Sequence, residues 1–157
     1  MSTAISRETT EVSVEKTLYE IQRLLGEHGA QAVLVEYDAE KRPDAISFRI
    51  RTREGLWSYR LPAGIKAVTQ VREQGRKQRI RNRKEFDNQS ARISWRIIRD
   101  WLEAQLAMDK AGLVDMAQIF LPYAQDVSGI TLYERLKEQK FSGLLQLPES
   151  GDKEPKA

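Results

Sequence analysis

The chain has 157 residues, 40% of them apolar and 31% charged, which is enough for one compact domain with its own core. It contains no cysteine and a single histidine, His28, so disulfides, thiolate chemistry and histidine-rich metal sites are excluded. No apolar run reaches the roughly 20 residues of a membrane helix. The N-terminus also lacks the basic-then-apolar layout of a signal peptide, so no membrane partner and a cytoplasmic location are expected.

The net charge of +3 conceals a segregation. Residues 1–40 carry 3 basic and 8 acidic side chains, residues 41–84 carry 14 and 3, and residues 85–157 carry 9 and 12. The densest part is GRKQRIRNRK at 75–84, where six of the nine residues at 76–84 are Lys or Arg and none is acidic. Charge gathered in one block of sequence points to an electrostatic footprint on one part of the fold.

In chain order, residues 1–11 are polar and are expected to be flexible. Val14, Leu18, Ile21 and Leu25 recur at helical spacing, predicting a helix over about 13–27 with Ser13 as its cap. His28 at its C-terminal end reads as a capping or surface residue. Three alternating runs follow. Val33, Val35 and Tyr37 share one face of a first strand, Ile46, Phe48 and Ile50 one face of a second, and Trp57, Tyr59 and Leu61 one face of a third, which Pro62 closes. Short loops between them predict an antiparallel meander. The opposite face then carries Ser47, Arg49, Arg51, Ser58 and Arg60, either as a basic binding surface or simply as the solvated side of an open sheet.

Ile65, Val68 and Val71 predict a short helix over about 64–74. The stretch 75–84 has Ile80 as its one apolar residue, so it is expected to be an exposed arm rather than a core helix. A long helix is predicted from near Asn88 to Gly112, with Ala91, Trp95, Ile98, Leu102 and Leu106 as its stripe, broadened by Ile97, Trp101 and Met108. A short helix ending at Pro122 and a second one opened by the capping-box pattern Thr131-x-x-Glu134 come next. Phe141, Leu144, Leu145 and Leu147 are expected to pack back on the fold, and 148–157 has the composition of a disordered tail. The expected architecture is α+β: a single domain over 12–147, with an N-terminal helix, a three-stranded antiparallel meander, then a long helix and short C-terminal helices packed on one sheet face.

No catalytic motif or cofactor signature is present. Asp38, Glu40, Asp44 and Glu54 fall at strand ends, where a metal-dependent nuclease would place acids, but ordinary turn chemistry uses the same residues there. The mechanism-bearing signal is the basic block. Lys and Arg on phosphates release counterions and supply sequence-independent affinity, with the sheet face and the arm together as the expected site. Its members are Arg49, Arg51, Arg60, Arg76, Lys77, Arg79, Arg81, Arg83 and Lys84.

A set of words also stands out: Lys16-Thr17-x-x-Glu20-Ile21, Gly29-Ala30, Tyr59-Arg60-Leu61-Pro62, Trp95-Arg96 with Asp100-Trp101-x-x-Ala104-Gln105-Leu106-Ala107, and Phe120-Leu121-Pro122-Tyr123. In these the chain resembles an uncharacterised family of small bacteriophage and prophage proteins over roughly residues 12–138. A looser, topological likeness links it to phage single-strand annealing proteins. The resemblance implies a phage association, and with it the host cytoplasm as location, with no activity attached. The leading expectation is thus a non-enzymatic nucleic-acid-binding protein, DNA rather than RNA. The alternatives are a protein–protein module, as a host-defence inhibitor or a homo-oligomeric structural component, and a metal-dependent nuclease.

Overall fold

The computed structural model describes residues 5–144. Helix α1 (Val14–Glu27) buries Thr17, Leu18, Ile21 and Leu25 on one stripe, and Ser13 Oγ accepts from the Lys16 N–H at 3.2 Å. His28 caps the other end, with Nδ1 2.8 Å from the Leu24 carbonyl oxygen.

Strands β1 (Ala30–Tyr37), β2 (Pro43–Thr52) and β3 (Gly55–Pro62) form one antiparallel sheet in the order β1-β2-β3. Ile46, Phe48 and Ile50 stand opposite Leu61, Tyr59 and Trp57, which places the apolar sets of β2 and β3 on one face. Tyr37 does not follow Val33 and Val35 toward the core. The pairing slips between Glu36 and Tyr37, so the alternation is broken there and Tyr37 is exposed. The β1–β2 turn is closed by Asp38, whose carboxylate accepts from the N–H groups of Glu40 and Arg42, each at 2.9 Å.

Helix α2 (Ile65–Gln74) leads through an irregular loop into α3 (Arg83–Lys110), a helix of 28 residues. It begins at Arg83, a full turn before the position that hydrophobic periodicity predicts, because Asn82 Oδ1 accepts from the Glu85 N–H at 3.1 Å and Phe86 is already buried. Arg83 and Lys84 therefore belong to a helix and not to the arm. The helix ends at Gly112 (φ 76), where the N–H groups of Gly112 and Leu113 bond to the carbonyls of Asp109 and Met108. That double bond pattern requires a left-handed residue at the turn, which glycine adopts without strain. In its middle, Ser94 donates to the Ala63 carbonyl and Trp95 Nε1 to the Pro43 carbonyl at 3.3 Å, so α3 crosses the sheet where β2 starts and β3 ends. Leu102 and Leu106 are fully buried, while Met108, expected in the stripe, lies outside it and is exposed.

Helix α4 (Met116–Phe120) is opened by an Asp115–Gln118 capping box and runs into a 3₁₀ turn, Leu121–Tyr123. Phe120 meets Phe48, Tyr59 and Trp101, with ring centroids 5.1, 5.4 and 6.0 Å away, and joins the C-terminal segment to the sheet core. Ala124 bridges to Tyr59 and the Gln125 N–H bonds the Ser58 carbonyl at 2.8 Å, which covers part of the β3 edge. Helix α5 (Leu132–Glu138) has the capping box read from Thr131 and Glu134. The architecture is α+β, with no helix among the described residues long and apolar enough to cross a membrane.

Two expectations at the ends change. Residues 8–10 are tied down, because the Gln89 amide donates to the carbonyls of Glu8 and Thr10, and Arg7 pairs with Asp100 at 2.6 Å. Phe141 stacks on Tyr133, but Leu144 is exposed and does not pack back. Leu145, Leu147 and the expected tail at 148–157 lie outside the described residues.

Candidate nucleic-acid interface

The basic stretch is the connection between α2 and α3. Arg76, Lys77, Arg79 and Arg81 are exposed on the loop, Lys84 is exposed on the first turn of α3, and only Ile80 is half-buried. Among the described residues, none of these five cations has a carboxylate within salt-bridge distance. Arg83 differs. It pairs with Glu73 across the hairpin and with Asp87 at 3.1 Å, and the hydrogen bond that it donates to Glu73 raises the pKa of its guanidinium. Arg83 thus locks α2 to α3, which removes it from the set of free cations.

Phe86, the first buried residue of α3, organises the charges around the loop. The guanidinium of Arg72 lies 4.0 Å from the centre of its ring, that of Arg76 5.2 Å and that of Arg83 5.9 Å. The negative face of an aromatic ring attracts such cations and offsets part of their mutual repulsion. Arg72 is fixed further by Nη1, which donates to the Phe86 carbonyl at 2.8 Å and to Ser90 Oγ at 2.9 Å. Burial, aided by repulsion from Arg76 and Arg92, lowers the pKa of Arg72. Beside this cluster the loop and the start of α3 enclose an open hollow of about 550 Å³, walled by Arg72, Arg76, Arg79, Arg81, Asn82 and Glu85 among others.

The sheet face is a separate surface. Arg49 and Arg51 are exposed on it, but Arg60 donates through Nε to Glu36 Oε2 at 2.9 Å, and Ser47 Oγ donates to the same oxygen at 3.0 Å. Leu34 and Leu56 are exposed on this face as well, so it is less uniformly basic than the alternation of β2 and β3 suggests. Arg51 shares a hollow with Asp109 near the last turn of α3, whereas the basic loop adjoins Arg83 at the first. At about 1.5 Å per residue those two ends of α3 are about 40 Å apart. The nine candidate residues are therefore not brought together into one site. Arg76, Lys77, Arg79, Arg81 and Lys84 form one cluster, Arg49 and Arg51 a distant one, and Arg60 and Arg83 are held in ion pairs.

Neither aromatic near the basic strands is a stacking platform on that face. Tyr59 is completely buried, and the half-buried Trp57 is on the same side, its ring 6.2 Å from that of Tyr59. Of the acids at the strand ends, Asp38 bonds its own turn and Arg42, and among the described residues no three His, Asp or Glu side chains are grouped so as to hold a metal ion. Sequence reasoning missed Arg72 and Phe86. The available signal was Asn82 as a cap, which moves the helix start forward and turns Phe86 inward.

Comparison of the chain with protein-family models, curated proteins and solved structures found no match.

Proposed function

We propose that this is a non-enzymatic nucleic-acid-binding accessory protein that contacts the phosphate backbone through the α2–α3 loop, with DNA as its partner before RNA. A role in phage DNA metabolism is part of the proposal: the phage association comes from the resemblance in sequence words, and the nucleic-acid part from the basic loop. One observation carries the binding reading. Among the described residues, the α3 arginines Arg83, Arg92, Arg96 and Arg99 all have carboxylate partners, whereas Arg76, Lys77, Arg79 and Arg81 of the loop and Lys84 of the first turn of α3 have none. Unpaired like charges held at one place are destabilising unless a polyanion or solvent answers them.

The test is fluorescence anisotropy of a labelled oligonucleotide against salt. Five phosphate contacts predict a slope of log K on log salt of about −3.5 for a single strand or about −4.5 for a duplex. Absence of binding at low salt overturns the proposal. A second reading, a protein-interaction module, is favoured by the exposed Leu34 and Leu56 beside Arg49 and Arg51 on the sheet face. A defined oligomer by light scattering, indifferent to oligonucleotide, supports that reading instead.

A further inference from the structure

We propose that the hollow between the loop and the start of α3 is the seat of a backbone phosphodiester with its sugar, and that Phe86 is the positioning residue that assembles it. This deepens the binding reading above and rests on it. The wall carries Arg72, Arg76, Arg79 and Arg81 against a single carboxylate, Glu85, and that carboxylate is already engaged by Arg92 at 2.7 Å. A hollow of about 550 Å³ exceeds what a bare phosphate needs and falls in the range of sites that hold a nucleotide-sized group, roughly 300–1,000 Å³.

The chemistry of the wall also says which part of a nucleotide enters. A base would need an open aromatic face on which to stack. Phe86 is only 6% exposed and its surroundings are taken by the guanidinium groups of Arg72, Arg76 and Arg83, so no such face is offered. Guanidinium forks match the oxygens of a phosphate, and recognition at this seat is therefore independent of base identity.

Phe86 acts through its neighbours. Arg72 is anchored to the Phe86 carbonyl and Ser90, whereas Arg76 has the ring and one long bond of 3.4 Å to the Gln78 carbonyl as its fixed contacts. The ring thus holds Arg76 at the hollow before any ligand arrives. Preorganisation of this kind raises affinity by removing the ordering of a long side chain from the binding step.

The experiment measures anisotropy of a labelled oligothymidylate and a mixed-sequence oligonucleotide of the same length on the full chain. Equal affinity for both, within about threefold, is expected, and a strong base preference overturns the seat as described. Phe86→Leu keeps apolar bulk but loses the ring, and it is expected to weaken binding about tenfold, while Phe86→Tyr restores binding to within about threefold of wild type. Unchanged affinity in Phe86→Leu, or equal weakness in both variants, overturns the positioning role. Should Phe86→Leu fail to fold, the surface change Arg76→Lys decides: it preserves charge but loses the planar contact, and is expected to weaken binding about threefold. Full affinity in Arg76→Lys overturns the seat. A wild-type chain that binds no oligonucleotide refutes the nucleic-acid reading itself, whereas wild-type binding with full-strength variants refutes only the seat.

Discussion

Glu20 of α1 receives Arg96 of α3 at 2.5 Å, and the same carboxylate oxygen lies 3.3 Å from Nε of Arg99. Arg96 is only 14% exposed and also reaches Thr17 Oγ1 at 3.4 Å, so this contact is a partly buried cross-link between the first helix and the longest. Removing the charge at Glu20 leaves two arginines at a half-buried interface. Glu20→Gln is expected to destabilise by about 1–2 kcal/mol, between an exposed pair and a broken buried one. In a chain of this size each kcal/mol shifts Tm by about 2–4 °C. A thermal melt that does not move refutes the cross-link.

The Tyr59 hydroxyl is buried without a hydrogen-bond partner among the described residues, inside the cluster of Phe48, Phe120 and Trp57. Burial, with Asp115 and Glu54 as minor contributors, raises the pKa of the phenol. An unpaired buried hydroxyl costs about 1–3 kcal/mol of desolvation, so Tyr59→Phe is expected to hold or raise stability. Denaturant unfolding checks this, and a loss above about 1 kcal/mol would mean that the hydroxyl has a partner.

The two cationic clusters lie at opposite ends of α3, and they should separate by mutagenesis. Replacing Arg79 and Arg81 together with Gln is expected to weaken oligonucleotide binding at least about tenfold and to flatten the salt slope by about 1.5. Replacing Arg49 and Arg51 together with Gln should change affinity by less than about twofold. Comparable losses in both double variants, measured by the same anisotropy assay, would mean that one ligand spans both ends.

Acid should act first on turns and caps. The Arg42 N–H lowers the pKa of Asp38, the Arg135 guanidinium that of Asp126, and the Thr131 N–H that of Glu134. A carboxylate depressed in the folded state contributes stability that is complete above its unfolded pKa of about 4 and is lost as pH falls through the lower folded value. Tm should therefore be flat from about pH 7 to about pH 5 and fall below about pH 4. Asp38→Asn should shallow that fall, and an equally steep fall in the variant would remove Asp38 from the account.

Much of this fold is legible in residue order because its signals are local. Ser13, Thr131 with Glu134, and Gly112 mark helix ends through bonds made within five residues, and the alternation of Ile46, Phe48 and Ile50 fixes the inner face of β2. The start of α3 was obscured because Phe86 is buried by α2 and its arginines, contacts that periodicity along α3 alone does not reveal.

Charge is where sequence and structure part. Residue order by itself determined that the basic side chains concentrate at 41–84 and that 75–84 has no core-facing stripe. Only the tertiary structure decided which of them are free. Arg60 meets Glu36 from another strand and Arg83 meets Glu73 from another helix, while Arg51, two residues from Arg49 on β2, ends up at the far end of α3 from the loop. Periodicity reports which face a residue occupies, but neutralisation depends on the carboxylates that folding brings within a few ångströms, and Coulomb interactions follow distance in space rather than separation along the chain.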